Sequence, residues 1–252
     1  LNFDEGNARS FTIKDAEGNT IPYQYKVDKK YPDGSFQSVK YYIIAENVPS
    51  VGYKTYYVKA SEKSDYSWSN LSLENDFYRI EFADGGLKSI FDRTVQKELV
   101  DASKFAAGEV FTMQSKGNGA GEFAAIQQPT MEGFDKTGNH PGAWRIIESG
   151  SIFSSWVKRS QLPHAEVEQK ITLYHKIKKI DFEITLLNWE GVLYREFRIA
   201  LPLKMEDGQV AYEVPFGVVE VGKDEMEGAA GERYNVPAKD LHPRGIENWI
   251  GA

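Results

Sequence analysis

Along most of the chain, apolar and polar residues alternate with a period of two. In "KKIDFEITLLNW", Ile180, Phe182, Ile184 and Leu186 share one parity, and Asp181, Glu183 and Thr185 the other. "YREFRIALPL" places Phe197, Ile199, Leu201 and Leu203 in register, and "GQVAYEVPFGVVEV" does so with Val210, Tyr212, Val214, Phe216 and Val218. Successive side chains of a strand point to opposite faces, so this pattern predicts half-buried antiparallel strands. Turn signals separate the runs: "AEGN" at 16–19, "PDGS" at 32–35, "ADGG" at 83–86 and "EDGQ" at 206–209. Glycine enters left-handed conformations cheaply, and Asp-Gly favours hairpin turns. No stretch keeps a helical apolar spacing for long; "QKELVDASKF" at 96–105 comes nearest, with room for two turns. The fold class predicted is all-β, built of sandwiches.

The alternation breaks in two places. "KASEKSDYSWSN" at 59–70 is polar and serine-rich and reads as a linker. It suggests a small β-sandwich unit over 1–60, a linker over 61–72 and a larger sandwich over 73–252. The second break, 114–144, holds six glycines without a clear period. Long loops within compact domains are uncommon and often functional.

Composition narrows the function classes. The 252 residues carry a net charge of −7 and no cysteine, which excludes disulfides and thiolate metal sites. The densest basic cluster, Lys176-Ile177-Lys178-Lys179, is too short for a nucleic-acid groove and reads as a turn between strands. No apolar run approaches the ~20 residues that cross a bilayer as a helix. The chain opens "LNFDEGNARS" and closes "IENWIGA", ends that suggest a piece of a longer protein. The sequence names no compartment.

Reactive chemistry is sparse. The four histidines, His140, His164, His175 and His242, form no close pair and no His-Glu-x-x-His motif, so no metal site is predicted. "GNGAG" at 117–121 lacks the strand-to-helix context of a dinucleotide loop. Glycoside hydrolysis needs two placed carboxylates, and with 37 acidic residues pairs arise by chance. Asp181 and Glu183 share a polar strand face and are expected in solvent. Glu122 and Glu132, in the glycine-rich loop, are candidates for sugar hydroxyls, the simpler reading being bonds to nearby amides. His140 and Trp144 share that loop; an aromatic face stacks on sugar rings, with structural packing the simpler reading.

One hairpin decides the reading. "LENDFYRIEFADGGLKSIFDRTVQKELVD" at 73–101 resembles a segment of the family 38 glycoside hydrolases, the α-mannosidase family. "AENVPSVGYKTYYV" at 45–58, "IIESGSIFSSWV" at 146–157, "ITLYHKIKKIDFEITLLNWE" at 171–190 and "AYEVPFGVVEV" at 211–221 resemble further landmarks of that family in the same order. The resemblance implies a small β-sandwich followed by a large antiparallel supersandwich of the galactose mutarotase type, here incomplete at its C-terminal end. It also implies that the catalytic carboxylates and a zinc ion belong to a (β/α) barrel outside this chain. The chain would then be a non-catalytic part of a carbohydrate-acting enzyme, with that barrel as its partner and an edge open to self-association. A carbohydrate-binding module and a mutarotase-type epimerase are the alternatives. The epimerase would need His175 opposite Glu213 or Glu220.

Overall fold

The computed structural model describes residues 1–61, 73–116, 128–205, 208–224 and 246–252. Among them the chain is nearly all strand, and the single helical element is a 3-10 turn at Thr137–Asn139. Every paired strand is antiparallel.

The first strands are β1 (Ser10–Lys14), β2 (Tyr23–Lys30), β3 (Phe36–Ile43) and β4 (Tyr57–Ser61). β2 and β3 form a hairpin, and β1 pairs with β4. The two pairs enclose Phe11, Ile13, Tyr23, Phe36 and Val39. The Phe11 ring lies 5.0 Å from Tyr23 and 5.2 Å from Tyr25. The "PDGS" turn uses its glycine for conformation: Gly34 has φ +85°, and the Asp33 carboxylate accepts the amide and hydroxyl of Ser35. Of the expected linker, residues 62–72 lie outside the described residues.

Next come β5 (Tyr78–Phe82), β6 (Leu87–Asp92), β7 (Lys97–Glu98), β8 (Glu109–Lys116), β9 (Gln128–Pro129) and β10 (Asp135–Lys136). They are followed by β11 (Arg145–Ser149), β12 (Phe153–Leu162), β13 (Ala165–Tyr174), β14 (Ile180–Leu187) and β15 (Arg195–Ala200). β16 (Ala211–Val214), β17 (Gly217–Glu220) and β18 (Ile250–Gly251) form a small sheet. The sheet β11-β12-β13-β14 is the backing layer. Its apolar face meets β5-β6-β7 through Ile80, Leu87, Ile90, Trp156, Ile171 and Leu173. Farther along, Leu162 and Val167 meet Val110 of β8, with Ile184 and Phe197 packed against them. A bridge from Leu87 to Ala107 joins β6 to the segment entering β8 in the same layer, with reciprocal bonds of 2.9 and 2.8 Å.

The first strands dock on this layer around a buried side chain, Gln24. Gln24 Oε1 accepts the amides of Ile152 (3.3 Å) and Phe153 (3.1 Å) in the β11–β12 turn. Ser151 Oγ donates to the Tyr23 carbonyl at 2.8 Å. A Cβ at Gly150 would stand 2.4 Å from the Gln24 amide, so only glycine allows this approach.

Three expectations need correction. Residues 96–105 form no helix. Gln96 takes φ +55°, and the Glu98 carboxylate accepts the amides of Ile90 and Val100 and the Ser89 hydroxyl, tying the segment to β6 as strand and turn. The run 210–218 is a hairpin, not one strand. Pro215 and Phe216 make its two-residue turn, Val214 facing Gly217. Phe216 has φ +65° and stands fully exposed, the third position of a proline-led turn that needs positive φ. On β15 and beyond, Ile199, Leu201 and Leu203 keep their common parity but face outward, each about half exposed (52, 57 and 54%).

The β6 strand ends on a buried carboxylate. Burial alone would raise the Asp92 pKa. The Lys178 ammonium at 2.7 Å, the Thr94 hydroxyl and the amides of Thr94 and Val95 outweigh it and hold the group well below the usual carboxylate range. A depressed carboxylate pKa contributes stability that is present above the unfolded value and lost as pH falls through the folded one. Asp92→Asn should therefore cost about 2 kcal/mol at neutral pH, the scale of hydrogen bonds to a charged group. The gap from the parent chain should close progressively below about pH 4, the carboxylate's unperturbed range. Urea denaturation across pH measures this; a gap that stays constant into strong acid would contradict it.

Candidate functional site

The hairpin β5–β6 turns at Ala83-Asp84-Gly85-Gly86, closed by Ala83 N to Gly86 O at 2.8 Å. Neither of its glycines adopts a left-handed φ. They are needed for room. A Cβ at Gly85 would lie 2.5 Å from the Glu109 carboxyl carbon, and one at Gly86 would lie 2.3 Å from the Ala107 carbonyl oxygen.

Into that space come three polar side chains from different strands. Glu109, 2% exposed at the start of β8, accepts the amides of Ala106 (2.7 Å) and Gly138 (3.1 Å) and faces the Lys136 ammonium at 3.3 Å. Gln169, fully buried on β13, donates to the Gly85 and Gly108 carbonyls at 2.7 and 2.8 Å. Lys158, directly opposite Gln169 on β12, donates to the carbonyls of Asp84 and His140. Burial pulls the Lys158 pKa down, and the charges of Asp84 and Glu109 pull it partly back. Thr137 completes the cluster, its hydroxyl donating to Gly85 O and accepting from Val110 N.

The predicted site residues are divided by this geometry. His140 and Trp144 both come to the glycine turn. Trp144 donates Nε1–H to Ala83 O at 2.8 Å and packs its ring 4.9 Å from Phe82. His140 Nε2 lies 2.7 Å from the Asp135 carboxylate, and its carbonyl holds Lys158. Burial would raise the Asp135 pKa, but the bonds from His140, Asn139 and the Lys136 amide lower it. Glu132 is exposed and away from the cluster; its carbonyl accepts the Gln114 amide, which lays the returning loop along β8. Glu122 lies outside the described residues, as do "GNGAG", the "EDGQ" pair 206–207 and His242. His175 is buried beside Ser154, 3.3 Å from its hydroxyl, and burial lowers its pKa. Glu220 is bonded by Lys223 at 2.7 Å.

Glu109, Lys158 and Gln169 were missed from sequence, though two left a signal. Lys158 shares parity with Trp156 and Leu162, and Gln169 with Val167, Ile171 and Leu173, so both stand on the apolar face of their strands. A polar residue of inward parity needs a buried partner.

The cluster's donors go to its own backbone: Gln169 and Lys158 hold the carbonyls of Asp84, Gly85, Gly108 and His140, and Glu109 takes the amides of Ala106 and Gly138, while the buried Gln169 Oε1 has no hydrogen-bond partner among the described residues. The described residues hold no group of three or more His, Asp or Glu side chains placed for a metal ion.

A family description, the glycosyl hydrolases family 38 C-terminal domain, matches residues 73–244. The chain belongs to this family. The match begins at the hairpin that carries the glycine turn and runs through the backing sheet. Among solved structures, an alpha-mannosidase from Enterococcus faecalis V583 is similar, with a TM-score of 0.60 at 14% identity. The likeness covers 86% of this chain and 28% of that one, so the chain spans under a third of that protein's length. At this identity it shows a shared fold. No curated protein matches the chain.

The glycine turn makes a sharp prediction. Gly86→Ala should destabilise the protein by about 3 kcal/mol, the upper range for forced overpacking. Gly217→Ala, whose Cβ would meet Val214 only at 3.9 Å, should stay within about 0.5 kcal/mol, as ordinary surface changes do. Denaturant titration of both variants checks the contrast; equal effects would show that the turn has room to relax.

Proposed function

We propose that this chain is a non-catalytic β-platform of an α-mannosidase-like family 38 glycoside hydrolase, packed against a catalytic (β/α) barrel and helping to shape its cleft. In this reading residues 1–60 are a small sandwich, 61–72 a connection and 73–252 a mutarotase-like supersandwich. The observation that carries it is the family match over 73–244. The name of the E. faecalis structure supports the substrate class. Two features of the chain agree. Its conspicuous buried polar cluster is consumed by architecture, and Ile199, Leu201 and Leu203 offer a ready-made apolar row for a covering partner. In the isolated chain Ile246, Trp249 and Ile250, each partly exposed, would be open to a second copy.

The end of the sandwich carrying Asp84, His140 and Trp144 is the part we assign to the barrel-facing side. There His140 and Trp144 would approach the sugar, and Glu122 and Glu132 of the same loop remain our candidates for its hydroxyls. The zinc and the reacting carboxylates would come from the barrel.

The test is hydrolysis of an aryl α-mannoside by the purified 252-residue chain, with and without added zinc. No turnover above background is expected in either case. Turnover that copurifies with the chain and is lost in its variants would overturn the non-catalytic assignment.

A further inference from the structure

The polar face of the backing sheet is expected in solvent, yet part of it is walled in. A cleft of about 580 Å³ lies between β3 and the outer face of β12-β13-β14. That volume is in the range of small-molecule sites, roughly 300–1,000 Å³. Its floor follows from strand register. Glu148 faces Ser155, Ser155 faces Thr172, and Thr172 faces Asp181, so four oxygen-bearing side chains form one row across four strands. The Ser155 and Thr172 hydroxyls lie 2.8 Å apart. The next row is aromatic: Phe153 opposite Tyr174, ring centroids 5.8 Å apart. The row on the other side pairs Lys170 with Glu183 at 3.6 Å. Across the cleft stands β3, whose Tyr42 reaches over to meet the Phe153 ring edge-on at 5.0 Å.

We propose that this cleft is a binding site for a neutral pyranoside. The ends of the floor row, the Glu148 and Asp181 carboxylates, supply acceptors for the hydroxyls of a sugar ring, while the buried Ser155 and Thr172 hydroxyls between them bond each other. The aromatic row offers an apolar flank with polar tips, suited to the ring's C–H face. Charge selects against an ionic ligand: the cleft's carboxylates Asp181 and Glu183 are matched by Lys179 at 2.9 Å and Lys170, and Glu148 by the charge of Lys40. The Tyr174 hydroxyl donates to Asp181 at 2.8 Å, and burial with that bond pushes its pKa up to about 12, so it remains a neutral donor. The site is separate from the glycine-turn cluster and does not depend on the mannosidase assignment, since all its groups belong to this chain.

Protein-observed NMR of the 252-residue chain with methyl α-D-mannopyranoside and methyl β-D-glucopyranoside tests this. Added to roughly 20 mM, above the millimolar Kd of a weakly held sugar, at least one should shift the amides of Glu148, Ser155, Thr172 and Asp181. The amides of residues 137–140 should stay in place. Asp181→Asn should weaken binding about tenfold, the loss expected for a charged hydrogen-bond acceptor. Glu183→Gln, an exposed position, should weaken it too with an unchanged melting curve. D-glucuronate should not bind. Absence of shifts for both neutral sugars, shifts confined to the 137–140 region, or equal binding of glucuronate would each overturn the proposal.

Discussion

A buried carboxylate with no freedom to leave is the constraint on which this fold turns. Glu109 sits at the head of β8, almost wholly removed from water, and must satisfy both oxygens inside the protein. It does so with the amides of Ala106 and Gly138 and the ammonium of Lys136. An uncompensated charge at such depth would cost several kcal/mol. The β5–β6 turn must therefore come close without bringing a side chain, and Gly85 and Gly86 permit that. Gln169 and Lys158 then bind the turn's carbonyls from the opposite layer. One polar cluster thus fixes the spacing of both layers and the path of the loop that carries His140 and Trp144.

A second, smaller junction uses the same logic. Gln24 satisfies two amides of the β11–β12 turn, and Gly150 leaves room for it. Because this junction holds β2 and β3 against the backing sheet, the outer face of that sheet becomes the floor of a cleft. The side chains at the floor would be ordinary surface residues in a sheet standing alone. Chemistry arises here from how two sheets are held, not from any reactive motif.

Much of this was legible along the chain. The parity of Ile180, Phe182 and Ile184 against Asp181, Glu183 and Thr185 assigns the inner and outer faces of β14 correctly, because a strand's period is fixed by its backbone. Leu186 and the row Ile199, Leu201, Leu203 escape that logic: parity tells which residues share a face, not whether another layer covers it. The run through Phe216 misled because a Pro-Phe turn preserves the alternation of residue types while reversing the chain. Glycine's role at 85 and 86 was assigned to conformation and proved to be volume, which only the positions of Ala107 and Glu109, more than twenty residues on, could reveal. Of the site residues, His140 and Trp144 do come together, since they are four positions apart on one stretch that passes the glycine turn. The cleft could not be read at all: it joins β3 to strands more than a hundred residues away.

The central claim is that the cluster built on Glu109 holds the layers together as one cooperative unit, Glu109 fixing the 136–138 turn and Gln169 and Lys158 reaching across. Its most direct test is urea unfolding of Glu109→Ala, followed both by tryptophan fluorescence and by exchange of the Gly138 amide. The account predicts a loss of about 3–5 kcal/mol, the cost of breaking a buried charged network, with the Gly138 amide losing protection in step. A loss below about 1 kcal/mol, the scale of a single ordinary hydrogen bond, with Gly138 still protected, would contradict it.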